Sequence, residues 1–501
     1  MNRLVYARGQ LDAEPVFNDI VALLSADGAE TAVYTGAAGP ACVPRRQLVS
    51  DIEVLASAVT AADWAGAEAR SAWVSCRDRY LFVLAALGCL RTGPVALAET
   101  QETPSTFEAM AAACPPAVVV TDDAGTTVAR WAQDHDVPVR LVGRPDAGWQ
   151  PSGRPARGTG PEPVLQFFTS GTTGPVKCVS IRGPQLMAAI TGVAGRLKLA
   201  EADVSLSLAP LTHTLGFITT VLVALASGGT VSFADPLRPR SLHEAVSGTG
   251  PTWCAASPSA LKLVLALTGS AGPGWPALRF LRSSAAPLPA ELAADLERRF
   301  GVPAINAYAM TEAPGEIASQ DLDGYRCPGT AGRPTLCEVR VGPDRGGSPA
   351  GEPGEIWIRG PNVAAAPSPG EQLPWLRTED IGLLDANCFL RITGRSNDII
   401  NQGGLKIWPP DVEAAVLGHP EVTAALAFPV PHRGLGEIVG LAVVPRAGSE
   451  LDRAAVRRLL MAGLPREKWP ATIVICDQLP LTGRGKLSRR AMSRLLGLEP
   501  R

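Results

Sequence analysis

The chain has 501 residues, 46% of them hydrophobic and 19% charged, with Lys+Arg 46 against Asp+Glu 48 and a formal net charge of -2. This composition supports a large buried core, excludes a disordered or fibrous chain, and at ordinary domain sizes suggests about two to four domains. The balanced charge offers no global attraction for nucleic acid or an anionic membrane, and no local basic patch replaces it.

The N-terminal MNRLVYARGQ has no apolar signal core, and the longest apolar stretches, residues 80–90 and 217–226, are too short to cross a bilayer. The ten cysteines are scattered without a CxxC pair or a Cys/His cluster. The expectation is a protein of the reducing cytoplasm, with free thiols and no membrane span. In chain order, residues 117–121 read as a buried strand, 143–163 as a surface connection, 188–198 as a helix and 230–233 as a strand. Residues 278–282 read as a strand feeding a helix, with Pro289 in its first turn and Gly301 at its stop. From about Cys327 the texture turns to short strands and Gly/Pro-rich turns, as in a small β subdomain. After Gly394 a compact run of strands and helices continues to Arg501, including residues 409–417, 424–428 and 453–461. The alternation of strand and helix argues for parallel α/β sheets, whose ligand loops follow the carboxyl ends of strands.

The strongest chemical signal is QFFTSGTTGPVK, residues 166–177. An apolar strand enters a loop of hydroxyls and glycines (Thr169, Ser170, Gly171, Thr172, Thr173, Gly174) and closes on Lys177. Glycines let backbone N–H groups turn toward an anion, hydroxyls add donors and Lys adds a point charge, which together make a phosphate cradle. The spacing is not that of a Walker A loop.

This segment resembles the signature of the acyl-adenylate-forming superfamily, which holds acyl-CoA synthetases, adenylation domains and luciferases. The likeness continues in order: PLTHTLG at 210–216 resembles P-x-x-H-x-x-G, and NAYAMTE at 306–312 resembles YGxTE. RTED at 377–380 resembles TGD, Gly394-Arg395 resembles the GR opening the hinge, and PLTGRGK at 480–486 resembles the terminal PxxxxGK. It covers about residues 166–490.

The resemblance implies an α/β fold: a large N-terminal domain (1–394) of two doubly wound sheets plus a small β-barrel-like subdomain (about 327–394). A hinge at 395–398 would join it to a small mobile α+β C-terminal domain (399–501). The implied reaction is ATP- and Mg²⁺-dependent adenylation of a carboxylic acid, then acyl transfer to a thiol. Lys486, Thr311, Glu312 and His213 would be catalytic, with Glu312 holding the metal and Lys486 arriving from the small domain. ATP would meet the 169–177 loop, Ser284, Ala285, Ala286 and Pro287 along adenine, Asn306, Ala307 and a stacking Tyr308. Asp380 would accept from the ribose hydroxyls, with Arg395 beside ribose or phosphate. The acid would lie beside His213, Phe217, Ala307 and Ala309, and Asn397 would take the pivot position.

Several positions depart from the family pattern. Ala309 stands where the motif has Gly, Val176 and Cys178 flank Lys177, and Ala471-Thr472 occupy a place where CoA-using members carry basic residues. Thr212-His213 lack the Asp with which α-amino-acid adenylation domains hold an ammonium, so an uncharged, hydrophobic acyl or aryl acid is expected. The acceptor is CoA in one reading. In another, a stand-alone enzyme of a natural-product pathway hands its acyl-AMP to a carrier protein or companion transferase. A nucleotide-binding pseudoenzyme is a third reading, set against by the presence of Lys177, Glu312, Asp380 and Lys486.

Overall fold

The computed structural model describes residues 32–34, 42–58, 70–143, 163–170, 176–268, 275–344, 347–364, 374–480 and 489–497. The chain forms two compact units: one of residues 1–339, 358–376 and 386–390, the other of 340–357, 377–385 and 391–501. This partition divides residues 327–394 between the two units, a little under half of them falling with the C-terminal segment.

The first unit holds two largely parallel sheets. In one, nine strands run in spatial order Arg333–Pro334, Ala313–Ser319, Ala304–Met310, Phe280–Ser283, Trp253–Ala256, Val204–Ser207, Thr230–Phe233, Ala32–Tyr34, Val43–Pro44. Its central pairs are parallel and its outer ones antiparallel. The other orders six strands as Val139–Leu141, Pro116–Thr121, Ser71–Val74, Val95–Leu97, Pro163–Ser170, Val176–Arg182. Central strands such as Trp253–Ala256 are buried on both faces and correspondingly apolar throughout.

Strand Phe280–Ser283 separates two cores. Phe280 joins a cluster with Leu84, Val118, Phe217 and Ile305, whereas Leu281 joins Trp275 and Leu296 on the opposite face. The first cluster receives the helix Arg79–Leu90, in which every residue from Tyr80 to Leu90 is buried. Its sequence is apolar all round, as a helix enclosed on all sides must be. Asp78 caps it by accepting from the backbone N–H groups of Tyr80 and Leu81.

The second unit contains most of a four-stranded sheet (Glu338–Gly342, Gly354–Arg359, Leu376–Leu384, Leu390–Arg395) and a five-stranded sheet built around Val422–His432 and Gly436–Pro445. Helices Pro409–Leu417 and Arg453–Gly463 cover the latter, burying Val412, Val416, Val456 and Leu460 with Val439 and Leu441.

The expected strand at 278–282 forms over Phe280–Ser283, and Pro289 is the N-cap of helix Ala290–Phe300 rather than part of its first turn. Gly301 stops that helix at φ 70°. The expected helix at 188–198 begins earlier, at Gly183, because Pro184 fits the first turn where no N–H is needed. The 143–163 connection falls mostly outside the described residues. All ten cysteines are free thiols, and no described helix is long and apolar enough to cross a membrane.

Candidate active site

Strands Ala304–Met310 and Ala313–Ser319 are antiparallel, and the pairing of Met310 with Ala313 leaves Thr311 and Glu312 as a two-residue turn. Both are half-buried, and the Glu312 carboxylate has no ion-pair or hydrogen-bond partner among the described residues. Its own carbonyl accepts from Ala364 N at 2.7 Å, fixing the turn. Strand Ala304–Met310 lies parallel to Phe280–Ser283, with Asn306 opposite Ser283. The segment Ser284–Pro287 and the 307–312 segment therefore emerge side by side at the carboxyl ends of neighbouring parallel strands, where open α/β sheets bind ligands. Ser284 is buried, with its N–H on Ala256 O at 3.1 Å, while Ala285, Ala286 and Pro287 are exposed. Ala285 takes φ 71°, a left-handed conformation that suits glycine.

The returning strand bulges. Its pairing jumps from Tyr308–Ala318 to Met310–Ala313. The extra residues are held by Asn362, whose Nδ2 donates to the carbonyls of Pro314 at 2.8 Å and Glu316 at 3.1 Å. Within the bulge Glu316 is buried against two guanidinium groups, Arg282 Nη2 at 3.4 Å and Arg196 Nε at 3.2 Å. Arg282 is 0% exposed and its Nη2 also donates to Gly315 O at 2.9 Å, but Nε and Nη1 find no hydrogen-bond partner among the described residues. Burial pushes its pKa below the ordinary value while Glu316 holds it up. The alternation of the strands sets Arg282, Ile305 and Ala307 on one face of the sheet and Asn306 and Tyr308 on the other. Tyr308 and Ala307 are buried, and Ala309 is half-buried. A cavity of about 380 Å³ lies beside Asn306, between Leu288, Glu297, Gln320 and Tyr325. Of the expected site residues that are described, only Asn306 lines it.

Thr169 pairs with Lys177 across the antiparallel strands that carry the hydroxyl-rich loop, and Ser170 with Val176. Lys177 is exposed. Gly171, Thr172, Thr173, Gly174 and Lys486 lie outside the described residues. The thiol of Cys178 is pushed up, first by its hydrogen bond to Cys114 and then by burial.

His213 stands half-buried in the loop leading into a π-helix, Leu215–Leu222, of the kind that often marks functional sites. Gly216 is required there, since a Cβ would fall 2.0 Å from the Pro210 carbonyl oxygen. Phe217 is fully buried, its ring edge-on to Phe82 at 6.2 Å between centroids. Its ring presents no free face.

In the second unit Asp380 and Arg395 are brought together, Nε donating to Oδ1 at 2.8 Å, and Asp380 is buried. Glu379, in the glycine position of the TGD motif, takes φ 62°. Asn397 falls in the short 3-10 helix Ser396–Asp398. Trp408 lies over Gly394, whose Cβ would meet its ring at 3.3 Å. Ala471 is exposed and Lys468 is engaged with Asp411 at 2.7 Å. Sequence reasoning missed Asn362, Arg282 and Glu316; the one available signal was an arginine inside the apolar run LRFLRS.

A family model described as AMP-binding enzyme matches residues 46–366, and one described as AMP-binding enzyme C-terminal domain matches residues 411–486. A probable CoA ligase of Humulus lupulus is 36% identical over 66% of this chain and 65% of its own length, so the chain spans just under two thirds of that relative. The oxalate–CoA ligase of Arabidopsis thaliana is 32% identical over 74% of this chain and 73% of its own. The sulfoacetate–CoA ligase of Cupriavidus necator is 33% identical over 71% and 72%. Among solved structures, ATP-bound MatB from Rhodopseudomonas palustris superposes with a TM-score of 0.82 at 22% identity, over 95% of this chain and 98% of that one. The o-succinylbenzoate CoA synthetase of Bacillus subtilis does so at 0.80 and 22%, over 97% and 98%.

Proposed function

The chain belongs to the AMP-binding enzyme family of the acyl-adenylate-forming superfamily, and from that premise we propose that it joins a carboxylic acid to CoA through an acyl-AMP. The observation that carries this reading is the Thr311-Glu312 turn, held beside the exposed 285–287 loop at the carboxyl ends of adjacent parallel strands. In the first step a carboxylate oxygen bonds to the α-phosphorus of ATP, the bond to the bridging oxygen breaks and pyrophosphate leaves. Catalysis of such a step is positioning plus stabilisation of phosphoryl charge. Thr311 donates a hydrogen bond to the α-phosphate, Tyr308 stacks on adenine, and Thr169 and Lys177 begin and end the phosphate loop. Lys486, from the small domain, balances charge at the reacting centre.

Glu312, half-buried and without a partner among the described residues, fits a Mg²⁺ site. Such an ion needs only one or two carboxylates when phosphates and waters complete its shell. No described group of three His, Cys, Asp or Glu competes as an all-protein metal site. When bound, the ion offsets charge on the phosphates. Asp380 holds the ribose hydroxyls once its contact with Arg395 opens, and Arg395 then moves to ribose or phosphate. In the second step, after rotation about Asn397, the thiol gives up its proton to solvent, its sulfur bonds to the acyl carbon, the bond from that carbon to the phosphate oxygen breaks and AMP leaves.

The acid is an uncharged acyl or aryl carboxylic acid in this reading. Supporting it are the small apolar groups at Ala307 and Ala309, and the sealing of the Arg282 cation on that face by Glu316. Exposed Ala471, with Lys468 already paired, favours a second reading for the acceptor, a carrier protein or companion transferase. Pyrophosphate release should be measured over aliphatic, aryl and doubly anionic acids with and without CoA, with mass spectrometry of the acyl product. Accumulating acyl-CoA from an uncharged acid supports the full reading. Acyl-AMP that persists with CoA present moves the thiol step to a partner, and a preference for doubly anionic acids overturns the substrate class.

A further inference from the structure

Glu99, outside every recognised motif, and Thr212, a variable position of the PLTHTLG segment, lie 113 residues apart, yet Thr212 Oγ1 donates a hydrogen bond to Glu99 Oε1. Glu99 follows strand Val95–Leu97 of the six-stranded sheet. That strand is parallel to Pro163–Ser170, its last pair being Leu97 with Phe167. Glu99 and Thr169 each lie two residues beyond that pair, so Glu99 stands beside the strand that delivers the phosphate loop. Thr212 belongs to the other sheet's side, in the loop that carries His213.

That loop is internally stiff. His213 N donates to Pro210 O at 3.2 Å, Phe217 N donates to His213 O at 2.9 Å, and Gly216 packs directly on the same Pro210 carbonyl. A stiff loop moves as a body, and a hydrogen bond to a carboxylate is among the stronger single contacts available to orient it. Resting on the adenylation reading above, we propose that Glu99 is a positioning residue that holds the His213 loop, through Thr212, in register with the phosphate-loop strand. The acid's carboxylate is thereby kept in line with the α-phosphorus. Displacements of about 1 Å are enough to cost a hundredfold in such reactions. Glu99 touches neither substrate.

The test is steady-state pyrophosphate release by the full-length chain and its Glu99→Ala, Thr212→Val and Thr212→Ser variants, with circular dichroism and thermal midpoints as controls on folding. Glu99→Ala and Thr212→Val should each raise KM for the acid about tenfold while KM for ATP stays within about twofold, and Thr212→Ser should restore the wild-type value. The Glu99→Ala/Thr212→Val double variant should be no worse than either single one. Unchanged acid KM, acid and ATP KM rising together, or Thr212→Ser as impaired as Thr212→Val would each overturn the proposal. So would a Glu99→Ala defect confined to acids bearing an amine, which would mean direct contact with substrate. Wild-type protein that releases no pyrophosphate with any acid removes the adenylation reading itself, and the proposal with it.

Discussion

Replacing Glu316 with Ala should be among the most damaging single changes available in the first unit. The substitution leaves Arg282, 0% exposed, without its carboxylate. At the observed 3.4 Å separation Coulomb's law with an effective dielectric of 20 gives about 5 kcal/mol. The Gly315 carbonyl still accepts from Nη2 at 2.9 Å, which brings the expected loss to about 3–4 kcal/mol, within the range for breaking a buried pair. Because Nε and Nη1 are already without hydrogen-bond partners among the described residues, the pair is imperfect. The double variant Arg282→Met/Glu316→Leu should therefore recover most of the loss, and Glu316→Gln should fall between. The assay is thermal unfolding followed by tryptophan fluorescence, where the single variant should lower the midpoint by about 5–10 °C. A Glu316→Ala midpoint within 1 °C of wild type, or a double variant as unstable as the single one, would falsify this account of the pair.

Ala285→Gly removes the cost of a left-handed alanine, about 1–2 kcal/mol, less the entropy that glycine adds to the unfolded chain. A rise in midpoint of about 1–3 °C is expected, and a fall would mean that the methyl group packs usefully. Glu312→Gln should cut pyrophosphate release by about a hundredfold or more and flatten its Mg²⁺ dependence; an unchanged Mg²⁺ titration would place the ion elsewhere. Cys254 and Cys337, whose thiols burial pushes up to about 12, should resist a thiol-reactive disulfide probe at pH 8 in the native protein. Exposed Cys388 should react at once, and early labelling of Cys254 would reveal an opening of its strand.

Local signals carried much of the fold. The strand–loop–helix unit around Ser284–Pro287 was readable from an apolar run, a small-residue loop and Gly301, with errors of about two residues at the strand ends. The turn at Thr311-Glu312 was readable only through its likeness to a motif, since its two residues include none of the usual turn formers and the bulge beside it carries no periodic mark. Contacts between distant residues were illegible for a simple reason. Glu99 with Thr212, Arg282 with Glu316, and Asn362 with the bulge carbonyls each join segments whose separation leaves no pattern in a single chain. The hydrogen bond between Asp380 and Arg395 joins two residues that were each assigned to nucleotide, a coupling their spacing did not reveal.

The π-helical turn at Leu215–Leu222 has an angular consequence. An α-helix advances about 100° per residue, so a stretch that accommodates one extra residue offsets everything before it by nearly a third of a revolution relative to the helix Val223–Ala226 that follows. Thr212 and His213 owe their azimuth to that surplus residue. Removing one residue between Thr219 and Val221 would leave the hydrophobic anchor in place downstream and swing the loop away from Glu99. The extra residue thus works as a vernier, setting the direction in which the loop faces independently of how firmly the helix behind it is seated.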